Sequence, residues 1–462
     1  MKWILFVSFV MFAMPVLCGA SMAHRAARQL ILSGLIYSTV LKLSVNFAYL
    51  EGYRGPDRGY EVHMTDLLAI CLAFGLLRHW RTLVWLPFNT LPQVAFAALA
   101  VVSAYEPTAS FHAGFTIFRL FKGLALYWIV YNSFRGEDGL AAMWWACVAI
   151  LLTETGFAFK QKYVNHLYRV NGTFDHSNTI PAYLLLIMPM LLAWALYGDR
   201  LRLWQRGLSV LAVLGGAFAI AATMSRFGLA MMGLTLVLTV GRLVVARPTR
   251  LNLALVGSLA LVIGTGAVLA MDNYIDRFLN APKESAQSRD EFNFAAERMA
   301  EDRFFGVGIN CFSEVMTVKH RYHAHLKHMA YEASAGVCHH IYRLTMAELG
   351  YIGLATFLLI LVRFFLPMAW EIRGRIRSLE QALLLGLVIG AFALHGIGLF
   401  EWVFRLTPVG NLFLITSALG TALLDQLRAN RRKSGAWEVP HSALPPPRRQ
   451  RRRLRPPLAR AQ

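Results

Sequence analysis

The feature that most constrains this chain is a series of apolar blocks of roughly 18–22 residues, separated by short polar segments. A helix rises 1.5 Å per residue, so about 20 apolar residues cross the ~30 Å hydrocarbon core of a bilayer. Hydrophobic residues make up 56% of the 462 residues and charged residues only 16%, more apolar than a soluble core requires. The sequence therefore predicts an all-α polytopic membrane protein rather than a soluble enzyme.

Twelve or thirteen blocks are candidate transmembrane helices, and the count depends on how the first block is interpreted. The candidate spans are 3–22, 30–50, 63–78, 83–104, 112–132, 138–158, 179–198, 207–224, 227–246, 252–271, 342–366, 381–400 and 404–424. We interpret the first as a retained helix rather than a cleaved signal segment, because Lys2 is the only charge at its start. Leu17 before Cys18 argues against lipidation, since a lipoprotein signal has a small residue there.

The distribution of lysine and arginine predicts the orientation, because short loops rich in these residues stay cytoplasmic. The basic residues fall on alternate connections. They are Arg25, Arg28, Arg78, Arg81, Arg135, Arg200, Arg202, Arg206, Arg247, Arg250, Arg373, Arg375 and Arg377. From Arg428 onward, eleven Lys/Arg and one acidic residue give +10 of the total +20. We interpret this tail as a disordered cytoplasmic segment that contacts anionic lipid, in preference to a nucleic-acid-binding tail.

These patterns divide the chain into five parts. Residues 1–60 are N-terminal transmembrane helices, 61–271 a transmembrane core, 342–427 C-terminal transmembrane helices and 428–462 the basic tail. Residues 272–341 form an external loop of about seventy residues, for which we expect short helices and a function, because long ordered loops are uncommon without one.

Two arginines are predicted on the external side. Arg226 sits between two apolar blocks, opposite the basic loops, where a positive charge is costly unless it reaches the interface or meets an anion. A snorkelling side chain and an anion site are both consistent with that position. Arg289 lies in the long loop, where a salt bridge to Asp290 or Glu291 is the structural alternative.

The end of the long loop carries histidines that precede an apolar block directly. His339 is a candidate base, because histidine titrates near neutral pH and can accept a proton from a hydroxyl. A polar residue at a helix start without chemistry is the other interpretation. The loop also contains Gly306 and Gly308, whose spacing indicates a tight turn or a close backbone approach.

Together these stretches resemble the O-antigen ligase and O-antigen polymerase superfamily of bacterial membrane glycosyltransferases, over roughly residues 60–425. The stretches that carry the resemblance are 171–178 (NGTFDHSN), 225–228 (SRFG), 288–289 (SR) with 306–312 (GVGINCF), and 339–342 (HHIY) with 348–353 (ELGYIG). The family usually has asparagine after its histidine, where this chain has His340. Either His339 or His340 could therefore be the base.

The resemblance implies that a glycan is transferred from undecaprenyl pyrophosphate to a hydroxyl of a lipid, glycan or protein acceptor. It assigns the pyrophosphate to Arg226 and Arg289 and the base to His339. Asn178, His340 and Glu348 fall in the matched stretches and are expected to bind substrate. Guanidinium groups suit the role independently, because they donate two hydrogen bonds to phosphate oxygens and keep their charge.

The resemblance also implies a location in the bacterial inner membrane with the active site on the periplasmic face. Membrane lipids and other polysaccharide assembly proteins are the expected partners, and nucleic acid is not. No cofactor or metal is expected, because the donor is already activated and neither a P-loop nor a dinucleotide fingerprint is present. Ligase and polymerase activities remain open, as do the sugar and the acceptor.

Arg119 and Lys122 lie inside one candidate span, three residues apart on one helix face. Either they bind lipid phosphate or they pair with Glu154 or Asp66. Glu401 and Arg405 flank an external turn, where we expect them to pair with each other.

Two further alternatives concern histidine and cysteine. The segment with His320, His323, His325 and His328 could bind zinc, but its interleaved lysine and arginine favour a solvated surface. Cys311 and Cys338 both lie in the external loop, so we hypothesise a disulfide between them. The other functional classes are a membrane transporter of anions or lipid-linked sugars and an inactive scaffold of an envelope assembly. A transporter is expected to place polar residues at mid-bilayer on broken helices.

Overall fold

The computed structural model describes most of the chain, in ranges with a few gaps. The described residues are 2–105, 111–135, 139–199, 201–269, 271–279, 283–318, 322 and 336–433. Four of the sequence predictions lie outside them: the basic position Arg200, the histidines of the candidate zinc segment, the tail beyond Lys433, and part of the long external loop.

Ten helices in the described ranges are long and apolar enough to cross a bilayer. They are Lys2–Ala23, His112–Phe134, Gly139–Val164, Thr179–Tyr197, Leu203–Ala222, Arg226–Ala246, Arg250–Val268, Ile341–Ile372, Leu379–Ile397 and Thr407–Arg432. The prediction of an all-α multi-pass membrane protein is confirmed. In this part of the chain, ten of the thirteen predicted spans correspond to full-length spanning helices.

Three predicted spans are shorter helices. Span 63–78 corresponds to Met64–Leu77 and span 83–104 to Thr90–Ser103. Fourteen residues extend only about 21 Å, less than the hydrocarbon thickness. Span 30–50 was wrong: the helix Arg25–Ser38 ends early, and strand Ser44–Phe47 follows.

That strand pairs antiparallel with Tyr60–His63, so that Val45 faces Val62. The pair forms a small sheet that the sequence did not predict. The apolar residues of the first strand continue the hydrophobic run of the preceding helix, so the strand looked like part of one span.

The long connection contains the helices Met271–Leu279, Lys283–Asp302 and Phe312–Val318. The first and the last are short, as predicted, whereas Lys283–Asp302 has 20 residues. Single 3-10 turns occur at Trp80–Thr82 and Val403–Arg405. Lys2–Ala23 contains a π turn at Phe9–Ala13, and Gly139–Val164 ends in another at Lys160–Val164.

The core of the bundle is the helix Thr179–Tyr197, which is buried along its whole length. It consists of two segments, Thr179–Leu184 and Met188–Tyr197. Gly386 and Gly390, four residues apart on the helix Leu379–Ile397, face its backbone. A Cβ atom on either glycine would lie 2.7 Å from main-chain atoms of the core helix. Small residues at this spacing allow two helix backbones to approach closely.

The basic loops and the predicted site lie at opposite ends of at least one helix. Arg226 begins the helix Arg226–Ala246, and Arg247 follows its last residue. Twenty-one helical residues separate the two ends by about 30 Å. At the Arg247 end, Asp199 accepts from Arg247 at 2.8 Å and from Arg206 at 3.1 Å. The arginines near Asp199 thus belong to the face opposite Arg226, as the charge pattern predicted.

The helix Ile341–Ile372 is interrupted at Gly350, whose φ of 68° is in the left-handed region. The segment around Gly306 crosses this break and supplies its hydrogen bonds. Val307 N donates to Ala347 O at 2.9 Å, and Gly308 N donates to Glu348 O at 3.0 Å. The sequence motifs around Gly306 and Gly350 are therefore two halves of one backbone crossing.

Replacing Gly350 with alanine is expected to destabilise the protein by about 1–3 kcal/mol, the usual cost of placing a residue other than glycine in the left-handed region. The added methyl group would also overlap the Phe304 carbonyl. Thermal unfolding of the purified protein in detergent measures the loss. Gly207→Ala is the matched control, because Gly207 is helical and a methyl group there meets nothing within 4 Å. Equal melting temperatures for the two variants would contradict the interpretation of this crossing.

Candidate active site

Glu401 lies at the centre of a polar cluster, in the short connection 398–406 between two transmembrane helices. Its Oε2 atom is 3.1 Å from Nδ1 of His339. Its Oε1 atom accepts from Nη2 of Arg289 at 2.9 Å and from Nδ2 of Asn178 at 2.6 Å. Because an ionised carboxylate only accepts hydrogen bonds, this arrangement requires the proton of the neutral His339 ring to sit on Nδ1. The Nε2 atom of the ring is then left as a proton acceptor.

The partners of Glu401 come from separate segments that pack against one another. Arg289 projects from the helix Lys283–Asp302. His339 stands two residues before the helix Ile341–Ile372. Buried apolar side chains join these two helices; they are Phe292, Ala295, Ala296, Met299, Leu344 and Ala347, among others. The long connection is thereby held against the membrane bundle, and this contact sets the distance between Arg289 and His339.

His340 points elsewhere. It is the N-cap residue of the helix Ile341–Ile372, and its Nδ1 atom accepts from Arg343 N at 3.3 Å. Burial, followed by the charge of Arg343, lowers the pKa of His340 below its ordinary value. Of the two adjacent histidines, His339 is therefore the one that faces the polar cluster, while His340 caps a helix.

Two neighbouring cavities meet at this cluster. A cavity of about 510 Å³ is lined by His339, and a cavity of about 440 Å³ is lined by Arg226. Four residues line both of them: Arg169, Asn178, Arg289 and Glu401. The structure thus brings together Arg226, Arg289 and His339, which are distant in sequence.

The 440 Å³ cavity combines positive charge with apolar side chains. Arg226 is exposed at the first position of its helix. It follows Ser225, whose side chain accepts from Gly228 N at 3.4 Å. Phe227 and Phe400 also line the cavity, and their ring centroids are 4.5 Å apart. Phe400 is 45% exposed. This cavity suits an anionic group attached to an apolar chain.

Glu401 remains ionised at neutral pH. Burial by itself raises the pKa of this carboxyl. The hydrogen bond from His339, the positive charge that its ring carries when protonated, the charge of Arg289 and the hydrogen bond from Asn178 outweigh burial. Together they lower the pKa of Glu401 below its ordinary value. The carboxylate form is consequently present above that ordinary value and is lost only as the pH falls through the lowered one.

Arg169 also belongs to the polar cluster around Glu401, although the sequence did not predict it. Its Nη2 atom donates to Asn178 Oδ1 at 3.0 Å, and its Nε atom donates to Thr223 O at 2.9 Å. Asn178 is thereby held between Arg169 and Glu401. Its position just before the stretch 171–178 was the only feature of the sequence that could have indicated this role.

The expected pairing of Glu401 with Arg405 was wrong. Nη1 of Arg405 instead donates to Oε2 of Glu348 at 2.7 Å, and both side chains are buried. Arg119 donates to the backbone carbonyl of Arg405 and lies 3.2 Å from Asp57. Glu348 and Arg119, predicted to bind substrate, therefore belong to a buried ion network beside the site. Arg405 occupies the turn that follows Glu401, and its pairing fixes that turn.

Lys122 is also held by the protein. Its Nζ atom is 2.6 Å from Asp66 and 2.5 Å from the carbonyl oxygen of Glu61. Pairing with Asp66 was one of the two alternatives for this lysine. Glu154, the other suggested partner, accepts instead from the Thr173 hydroxyl at 2.5 Å.

The hypothesised disulfide is not formed. Neither Cys311 nor Cys338 is in a disulfide, and the two residues are buried in different apolar clusters. Sγ of Cys338 donates to Asn293 Oδ1 at 3.1 Å. Burial raises the pKa of the Cys338 thiol to about 12, so the thiol stays protonated. The loop is held by packing and hydrogen bonds rather than by a covalent bridge.

Across the described residues, no three His, Cys, Asp or Glu side chains are grouped so that they could hold a metal ion. The histidines of the candidate zinc segment fall outside those ranges. No protein-family model matches the chain, and a search of curated proteins finds no significant match.

Breaking the buried Glu348–Arg405 pair is expected to destabilise the protein by about 3–5 kcal/mol, because Arg405→Met leaves a buried carboxylate without its partner. Thermal unfolding in detergent measures this loss. The control is Arg298→Met, since Arg298 forms an exposed pair with Glu301 at 2.7 Å that contributes at most about 1 kcal/mol. A double replacement, Glu348→Gln with Arg405→Met, should recover part of the loss. Equal stability of the two single variants would show that the buried pair does not support the turn.

Proposed function

We propose that this protein is a membrane glycosyltransferase of the O-antigen ligase or polymerase type. It transfers a glycan from undecaprenyl pyrophosphate to an acceptor hydroxyl, at the periplasmic face of a bacterial inner membrane. The observation that carries the proposal is the meeting of Arg226, Arg289 and His339 in two adjoining cavities around Glu401.

The charge of the site fits a pyrophosphate leaving group. Arg226, Arg289 and Arg169 all line the 440 Å³ cavity, and Glu401 is the one carboxylate among the described residues that line it. Negative charge grows on the pyrophosphate as its bond to the sugar breaks, so fixed guanidinium groups stabilise the transition state more than the ground state. The aromatic side chains of Phe227 and Phe400 offer an apolar path for the lipid chain.

The position of His339 fits a general base. The acceptor oxygen attacks the anomeric carbon, the bond from that carbon to the pyrophosphate oxygen breaks, and Nε2 of His339 takes the hydroxyl proton. The electron pair of the broken bond leaves with the undecaprenyl pyrophosphate. Glu401 holds the ring through Nδ1 and stabilises the imidazolium that forms.

Alanine at His339, Arg226 or Arg289 is expected to lower transfer by about 10²–10³-fold, the usual loss for a general base or a charge-stabilising donor. Release of undecaprenyl pyrophosphate from an oligosaccharide-linked donor in proteoliposomes measures the rate. His79→Ala and Arg81→Ala are matched controls, because both residues are exposed and line neither cavity. Full transfer in all three site variants would refute the proposal. Donor flux across the membrane that survives all three would favour a transporter.

Glu401→Gln is expected to lower turnover by about 10²-fold and to change the KM for acceptor little, because glutamine cannot stabilise the imidazolium electrostatically. Because the pKa of Glu401 is lowered, the wild-type carboxylate is ionised throughout the neutral range. The carboxylate therefore does not itself titrate between about pH 6 and 8, and Glu401→Gln should stay slower than the wild type across this range. A pH profile of turnover for both proteins is the measurement. Turnover equal to that of the wild type at any pH in this range would contradict the role given to Glu401.

A further inference from the structure

The 510 Å³ cavity contains two arginines that the transfer mechanism does not use. Arg54 and Arg58 line it together with His339, and neither lines the cavity that holds Arg226. Arg54 is exposed and Arg58 is half-buried. Within the described ranges, neither guanidinium group has a hydrogen-bond or ion-pair partner. Both arginines are therefore available to a ligand on the side of the site where the base lies.

The loop that carries these arginines alternates between buried and accessible positions. Tyr53, Asp57 and the intervening Gly55 are buried, whereas Arg54 is exposed and Arg58 is half-buried. The chain bends at Gly55 and Pro56, between the two arginines. Both arginines line the same cavity, so the loop presents them to one site.

The buried face fixes this loop to the rest of the protein. The Tyr53 hydroxyl donates to the Asn310 carbonyl, and the Tyr53 ring stacks on His112 with centroids 3.9 Å apart. Asp57 N donates to Asn310 Oδ1 at 3.2 Å, while Asn310 Nδ2 donates to Asp57 O at 2.9 Å. Burial raises the pKa of Tyr53 well above its ordinary value, so its hydroxyl keeps its proton. Because the loop is held through the Tyr53 side chain and the Asp57 backbone, it is preorganised to present the arginines.

The charges inside this cavity favour an anion. Four arginines line it: Arg54, Arg58, Arg169 and Arg289. The two carboxylates in the lining already have basic partners, since Glu401 binds Arg289 and Asp175 lies 2.5 Å from Lys42. Trp402, half-buried in the same wall, offers an aromatic face to a sugar ring. The volume lies within the ~300–1,000 Å³ usual for ligand pockets.

We propose that Arg54 and Arg58 form an anion subsite for the acceptor, which is an acidic glycan that carries a carboxylate or a phosphate near the attacking hydroxyl. The acceptor occupies the 510 Å³ cavity beside His339, and the donor pyrophosphate occupies the 440 Å³ cavity beside Arg226. This assignment rests on the proposed transferase function. It adds that specificity lies in the loop 51–62, outside the residues that perform the chemistry.

Binding to the full chain in lipid nanodiscs tests the subsite without turnover. The probes are trigalacturonate for carboxylate, phosphorylated maltotriose for phosphate and maltotriose as the neutral reference. We expect the acidic probe that matches the natural acceptor to bind at least tenfold more tightly than maltotriose. Arg54→Gln with Arg58→Gln should weaken that probe by about 10- to 100-fold, the range for charge-assisted hydrogen bonds, and leave maltotriose unchanged. The stronger acidic probe identifies carboxylate or phosphate.

Two controls accompany this variant. Arg81→Gln removes an exposed arginine that lines neither cavity and should bind every probe as the wild type does. Arg54→Lys with Arg58→Lys keeps the charge but loses bidentate geometry, so an intermediate affinity is expected. Retained maltotriose binding and an unchanged melting temperature show that the glutamine variant is folded.

The outcomes separate the subsite from the transferase proposal. Unchanged affinity for both acidic probes in the glutamine variant, while transfer still depends on His339, overturns the acceptor assignment alone. If the wild-type protein binds acidic and neutral probes equally tightly, the acceptor assignment is also overturned, and the transferase proposal is not. Transfer that does not depend on His339, Arg226 or Arg289 overturns the proposed function and the acceptor assignment with it. Selective loss of transfer to the acidic acceptor in the glutamine variant supports both.

Discussion

One carboxylate organises the candidate active site. Glu401 accepts from His339, Arg289 and Asn178, which come from three separate parts of the chain. Without this negative charge, these three side chains would converge on a common point with no acceptor for their hydrogen bonds. Arg289 balances the carboxylate, and the remaining arginines of the two cavities leave an excess of positive charge. Glu401 thus orients the base while the site stays attractive to an anion.

The turn that carries Glu401 is itself held by buried contacts. Arg405 reaches from this turn to Glu348, whose backbone carbonyl accepts from Gly308 at the helix break. The same segment continues to Asn310, which bonds to the loop around Asp57. A continuous set of buried polar contacts therefore connects the base, the long connection and the loop of Arg54 and Arg58. The sequence motifs around Gly306, His339 and Glu348 are therefore held together by the same buried contacts.

The sequence predicted the membrane class well, because the length of an apolar block is a local property. It failed where hydropathy does not distinguish conformations, as in the run 30–50, where a helix gives way to a strand. It also assigned Glu401 to the nearest arginine. The true partners, His339 and Arg289, are 62 and 112 residues away, and only the packing of the helices brings them together. Arg54 and Arg58 left no signal, since their roles depend on which face of the loop is buried.

The core helix Thr179–Tyr197 has a consequence for how the protein is made. Every part of it is covered by protein in the folded state, yet Gly386 and Gly390, which pack on its backbone, are synthesised long afterwards. Until they arrive, that side of the helix faces lipid or an assembly factor. Biogenesis must therefore proceed in at least two stages, insertion of the early helices and then closure by the late ones. The narrow contact that gives the bundle its tight core can form only after the helix Leu379–Ile397 has been synthesised.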